Sequence, residues 1–132
     1  MHCEDESSGS ATFTLRGVAR RQGARLAAPA LDAACGTGEN ALHVASLGLS
    51  VVGIDVAETA LAIARQKAAD RGLHVEFTAA DAFRLERLGR TSATVLACGL
   101  LHTCDADERS GYAASLASVT RHGGTVLRVV LQ

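Results

Sequence analysis

Residues 30–55, ALDAACGTGENALHVASLGLSVVGID, constrain this chain more than any other stretch. Ala30 to Ala34 is a short apolar run broken only by Asp32, and Gly36 and Gly38 follow it. Glycine has no Cβ, so a turn built on two of them can bend sharply and let a ligand come close. From Glu39 onward, Ala41, Leu42, Val44 and Ala45 fall at helical spacing, and Gly48 is a natural stop. Val51 to Ile54 is a nearly continuous apolar run, as a strand covered on both faces requires, and Asp55 ends it. Strand, glycine turn, helix and strand in this order make half of a nucleotide-binding α/β unit. Its ligand belongs beyond the carboxyl ends of the strands.

The remaining segments extend the same alternation. Ala57, Leu61, Ala64 and Ala68 form one helical stripe, with Arg65, Lys67, Asp70 and Arg71 off it and Gly72 as its stop. Residues 74–81, HVEFTAAD, alternate Val75, Phe77 and Ala79 with wetter residues, which suits a strand near a sheet edge. Phe83 to Gly89 is a short amphipathic connection, and Thr94 to Cys98 reads as another buried strand. Asp105 and Glu108 have the spacing of a capping box, opening a helix with Tyr112, Leu116 and Val119 on one face. Gly123-Gly124 then turns the chain into a last strand, Thr125 to Leu131. The resulting β-α-β-α-β-(α)-β-α-β order predicts an α/β fold, a doubly wound parallel sheet with helices on both faces. Residues 1–28 read as a polar, poorly ordered or partly helical lead, and 29–132 as the folded core.

A chain of 132 residues is one domain. Its formal net charge of -1 gives no reason to expect nucleic acid or an anionic membrane surface. Arg16, Arg20, Arg21 and Arg25 read as a solvated face. Cys3, Cys35, Cys98 and Cys104 show neither C-x-x-C spacing nor a disulfide framework, so no metal site is expected and a reducing cytoplasm is the simplest setting. The acidic, polar N-terminus MHCEDESSGS is unlike a signal peptide, and no stretch approaches the roughly 20 apolar residues of a membrane span.

Asp32, Asp55 and Asp81 stand at or near the ends of three successive strands. A carboxylate beside a glycine turn, such as Asp55, can accept hydrogen bonds from both ribose hydroxyls. Asp81 can accept from the exocyclic amine of adenine, leaving the N–H of Ala82 or Phe83 for a ring nitrogen. Residues 36–41 formally match the dinucleotide fingerprint G-x-G-x-x-A. However, Glu39 stands at the helix N-terminus, where a pyrophosphate would sit, and Asp32 stands just before the turn. Two negative charges there favour S-adenosyl-L-methionine, with its ammonium and sulfonium, over NAD(P).

LDAACGTGENALHVASLGLSVVGID, followed by AADAF and VLACGLLH, resembles class I S-adenosylmethionine-dependent methyltransferases. It is most similar to the small-molecule branch that includes thiopurine and tellurite-resistance type enzymes. The resemblance implies a Rossmann-like sheet of strand order 3-2-1-4-5. It implies that Asp32, Ala34, Cys35, Gly36 and Gly38 hold the methionine end of the cofactor. Asp55 with Val56 would hold the ribose, and Asp81, Ala82 and Phe83 the adenine. Cys98 to His102 would border the reacting methyl group, with His102 as the candidate proton acceptor. The acceptor is then a small molecule attacking through N, O or S.

Ala34 departs from the family's first turn glycine, and the five strands lack the usual C-terminal antiparallel pair. The edge at 125–131 is therefore expected to be exposed and open to self-association, with turnover impaired. A non-catalytic cofactor-binding fragment and an NAD(P)-binding Rossmann domain are the alternatives.

Overall fold

A computed structural model describes residues 12–13, 26–98 and 105–129. Six strands among these residues form one sheet: β1 (Thr12–Phe13), β2 (Ala30–Asp32), β3 (Val51–Asp55), β4 (Glu76–Ala79), β5 (Ser92–Cys98) and β6 (Thr120–Val129). Among the described residues three α-helices, α1 (Glu39–Ser46), α2 (Glu58–Arg71) and α3 (Ala106–Val119), alternate with them, and a 3-10 helix spans Ala82–Leu88. The spatial order is β1-β6-β5-β2-β3-β4, and every pairing among the described residues is parallel. Leaving β1 aside, the order is the expected 3-2-1-4-5.

The short β2 is the axis of the sheet. Ala30, Leu31 and Asp32 pair with Val51, Val52 and Gly53 on one side and with Thr94, Val95 and Leu96 on the other. All three β2 residues are buried. From β2 the chain winds outward through β3 and β4, then returns to β5 and β6 on the opposite side. That reversal opens a crevice beyond the carboxyl ends of β2 and β5, the usual ligand position in such sheets.

Alternation along the strands divides the core. Leu96 packs on one face with Leu42 and Val44 of α1 and Leu61, Ala64 and Ala68 of α2. Leu31, Val95 and Ala97 pack on the other with Leu85 and with Tyr112, Leu116 and Val119 of α3. The core reaches back to Leu26, and Ala27 exchanges hydrogen bonds with the Thr94 hydroxyl (3.1 and 2.9 Å). The packed unit thus includes residues just before position 29.

β4 is an edge strand, shorter than the 74–81 run, with Phe77 buried and Glu76 exposed. The connection after it is a 3-10 helix interrupted at Arg84, where the backbone leaves helical values (φ -136°, ψ 46°). The last strand differs from expectation too. Ser92 pairs with Thr120 and Thr94 with Thr125, so residues 121–124 bulge within β6 instead of forming a separate turn. Its outer edge is also not fully open. Thr12 pairs with Arg128 and Phe13 with Val129. A β-branched residue followed by an aromatic suits a strand, and pairing satisfies backbone groups that an edge leaves unpaired. Expected edge residues 130 and 131 lie outside the described residues. No described helix is long and apolar enough to cross a membrane.

The predicted capping box is formed. Asp105 Oδ1 accepts from the Glu108 N–H (2.8 Å), and Glu108 Oε1 accepts from the Asp105 N–H (2.9 Å). Asp105→Ala should lower folding stability by about 1 kcal/mol in urea denaturation, with an unchanged denaturant slope.

Candidate functional site

The glycine turn is held between two strand ends. After β2, the Ala33 N–H donates to the Leu96 carbonyl (2.9 Å) and the Cys35 N–H to the Ile54 carbonyl (2.8 Å). The Gly38 N–H then donates to the Cys35 carbonyl (2.9 Å), closing the turn, and the Leu42 N–H donates to the Gly38 carbonyl (2.8 Å), starting α1.

The two glycines do different work. Gly36 has φ +55°, and a Cβ there would meet nothing within 4 Å. Its open side is where a ligand can approach. Gly38 has φ +93°, and a Cβ there would lie 2.8 Å from Ala64 Cβ and 3.0 Å from the Phe77 ring. It lets α1 pack closely on α2 and β4. Cys35 is buried between them as a small apolar side chain, and Ala34 is half-buried.

Asp55 closes the turn from the neighbouring strand. Its Oδ2 accepts from the Gly36 N–H (2.9 Å), and its Oδ1 accepts from the Ala57 N–H (2.9 Å). Each carboxylate oxygen can accept a second hydrogen bond, so Asp55 can hold the turn and still receive a hydroxyl. Val56, next to it, is 75% exposed and presents an apolar side chain at the rim. The Ala80 N–H donates to the Asp55 carbonyl (3.1 Å), placing the end of β4 alongside.

Asp81 takes a capping role, which its place between a strand and a turn also allows. Its Oδ1 accepts from the Phe83 N–H (2.9 Å) and caps the 3-10 helix. Of the two amides proposed for a ring nitrogen, Phe83's is thus engaged, which leaves Ala82 as the candidate. The Phe83 ring rests near Tyr112, with centroids 5.5 Å apart.

Asp32 is fully enclosed, and neither carboxylate oxygen has a well-formed hydrogen bond among the described residues. Burial pushes its pKa from an ordinary 3.8 up to about 7, the Ala34 amide opposes this, and the Asp55 charge adds to it. Glu39, by contrast, is exposed and paired with two cations from α2. It accepts from Arg71 (3.0 and 3.2 Å) and from Lys67 Nζ (2.7 Å), which also donates to Thr37 Oγ1 (3.2 Å). Arg71 first and Lys67 second hold its pKa down at about 2. The turn is therefore less negative than Asp32 and Glu39 imply in sequence. One acid is drawn toward its protonated form, and the other is neutralised by neighbours. Repulsion of a pyrophosphate is correspondingly weaker than the sequence suggests.

The structure gathers Asp32, Ala34, Cys35, Gly36, Gly38, Asp55 and Val56 around one turn, with Asp81, Ala82 and Phe83 at the end of the next strand. Cys98 ends β5, but its side chain lies outside the described residues, as does His102. A groove of about 890 Å³, lined in part by Pro29, Ser50, His74 and Ser92, opens at the amino ends of the strands. It contains none of these residues and lies at the opposite end of the sheet from the turn.

Residues 30–124 match the family of methyltransferase domains, and the chain belongs to that family. A 2-heptyl-1-hydroxyquinolin-4(1H)-one methyltransferase of Mycobacteroides abscessus is 34% identical over 101 residues, covering 76% of this chain and 44% of that protein. A protein solved in work on conversion of a disulfide bond into a thioacetal group during echinomycin biosynthesis is similar at TM-score 0.73 and 42% identity. That match covers 81% of this chain and 45% of the other. Magnesium protoporphyrin IX methyltransferase of Synechocystis, solved with bound SAM, is similar at TM-score 0.71 and 27% identity, over 80% of this chain and 52% of its own. The chain spans 44% and 66% of the length of two curated relatives it matches.

Two predictions follow from the turn. Gly38→Ala should destabilise the fold by roughly 1–3 kcal/mol from overpacking, with a further backbone term of about 1–3 kcal/mol for the left-handed conformation. Gly36→Ala carries only the backbone term and should leave a folded protein with weakened ligand binding. Urea denaturation of both variants, with ligand titration of Gly36→Ala, checks this.

The second concerns Asp32. Its folded pKa is raised above the unfolded one, so the folded state binds more protons between pH about 4 and about 7. The contribution of Asp32 to stability should be greatest below this window and fall as pH rises through it, by on the order of 4 kcal/mol at 1.36 kcal/mol per pKa unit. Asp32→Asn should flatten that slope, as read by urea denaturation at pH 5 and pH 8.

Proposed function

We propose that this chain holds S-adenosyl-L-methionine and directs methyl transfer to a small-molecule N, O or S acceptor. The observation that carries the reading is the Asp55 clamp on Gly36. It fixes a turn whose open side lies at the switch point of the sheet, with acceptor lone pairs remaining on the same carboxylate. The donor set suits an adenosyl amino acid. Gly36 leaves room above the turn, Asp55 offers acceptors for ribose hydroxyls, Val56 gives an apolar flank for a base, and Asp81 with Ala82 reads its polar edge. Asp32, enclosed behind the turn, supplies a carboxylate whose ionised form an ammonium group would favour.

When bound, the sulfonium would supply an electrophilic methyl group, which the acceptor attacks in line as the methyl C–S bond breaks and S-adenosylhomocysteine leaves. This chain's residues contribute orientation, so no protein nucleophile is required. We assign proton removal from the acceptor to His102 and the border of the methyl group to Cys98. A cytoplasmic setting suits the buried Cys35 side chain, which forms no disulfide. Self-association through β6 would have to displace Thr12–Phe13 from Arg128 and Val129.

Calorimetric titration tests the reading. S-adenosylhomocysteine should bind and NADH should not; equal or tighter NADH binding would reverse the assignment. Asp55→Ala should weaken S-adenosylhomocysteine by about 1.5–3 kcal/mol for each charged hydrogen bond lost. Asp55→Asn should be milder, because its one carbonyl oxygen can still accept from Gly36.

A further inference from the structure

The Ala82–Phe83 peptide unit is gripped from two sides. On one side, its N–H donates to Asp81 Oδ1 (2.9 Å). On the other, its carbonyl accepts from Ser115 Oγ (2.7 Å), a buried hydroxyl on α3. The same Ser115 Oγ accepts from the Leu85 N–H (2.9 Å). One hydroxyl therefore acts as donor and acceptor toward the first turn of the 3-10 helix. Tyr112, three residues earlier on the same face of α3, lies against Phe83 in that turn.

Serine is a mediocre helix former, and burying a hydroxyl is unfavourable unless it is fully bonded. Alanine would be the simpler residue at a helix position packed among apolar side chains. Here the hydroxyl satisfies two backbone groups that an alanine would leave buried without partners. These groups flank the residues assigned to the base-reading end of the site. Asp81 can keep its carboxylate in one place only while the peptide unit it caps stays in place.

We propose that Ser115 is a positioning residue for adenine recognition. Its hydroxyl holds the Ala82–Phe83 peptide in the geometry that presents the Asp81 carboxylate and the Ala82 amide to the base. The inference rests on the cofactor reading above and adds to it a residue that touches no ligand. It assigns to α3 a part in cofactor selectivity separate from its packing on the sheet.

The test compares S-adenosylhomocysteine with S-inosylhomocysteine, in which a carbonyl replaces the exocyclic amine. The wild-type protein should prefer the adenine ligand by roughly tenfold or more, since a charged hydrogen bond is exchanged for repulsion. Asp81→Asn should remove most of that preference. Ser115→Ala should also compress it, to within about threefold, the direct loss at Asp81 being reproduced from a distance. Ser115→Cys, whose thiol is a weak donor, gives a second variant should the alanine protein fail to fold, and it should compress the preference likewise. A purely structural Ser115 would lower thermal stability and leave the preference between the two ligands intact. Intact preference in a folded Ser115 variant overturns the proposal. Absence of S-adenosylhomocysteine binding by the wild type instead overturns the cofactor reading, and this proposal with it.

Discussion

The carboxylate of Asp55 takes the Gly36 amide on one oxygen and the Ala57 amide on the other. Much of the site depends on those two bonds. The first ties the turn after β2 to the end of β3; the second fixes the start of the segment leading into α2. Backbone amides at a strand-to-helix turn are otherwise left to solvent, and a turn free to move would not present a constant surface. The clamp works because β2 and β3 are adjacent and parallel, so their carboxyl ends emerge side by side. It also needs Gly38, since a Cβ there would push α1 away from Ala64 and Phe77.

Two further acids lie near this turn, and the fold handles them in opposite ways. Asp32 is enclosed without a well-formed hydrogen bond among the described residues, so its proton is retained toward neutral pH. Glu39 is exposed and held by Lys67 and Arg71, one helical turn apart on α2. Their effects on a ligand differ accordingly. An approaching ammonium can draw Asp32 into its charged form, whereas Glu39 is already charged and already compensated. Exposed ion pairs of this kind add little stability. Lys67 also bonds to Thr37, and so it braces the turn from outside as Asp55 does from within.

Much of this was legible in the sequence because it is written in local patterns. The glycine turn, the stripe Leu61, Ala64 and Ala68, the capping box at Asp105 and Glu108, and the edge character around Phe77 each depend on neighbours within a few residues. Contacts across long separations left no such trace. Lys67 and Arg71 announce an exposed helix face, but nothing local says that they meet Glu39. Ser115 reads as an ordinary small residue until α3 is laid against the 3-10 helix. The pairing of Thr12 and Phe13 with Arg128 and Val129 joins nearly opposite ends of the chain. Two residues are too short a run for periodicity to detect. Asp81 is legible as an acid near a strand end, but its bond to the Phe83 amide decides which backbone group remains for a ligand.

The residues gathered here lie on one side of the switch point. Asp55, Val56, Asp81 and Ala82 follow β3 and β4, and the turn itself follows β2. Cys98 ends β5 on the other side; its side chain and His102 lie outside the described residues. The cofactor reading rests on backbone amides, a carboxylate and glycine geometry within the matched region. Acceptor recognition requires a shaped surface of its own. The relatives are longer than this chain, and identity of 34% over 101 residues covers only 44% of the quinolone methyltransferase. Their acceptors cannot be transferred from that match, because a shared cofactor-binding fold serves many different acceptors.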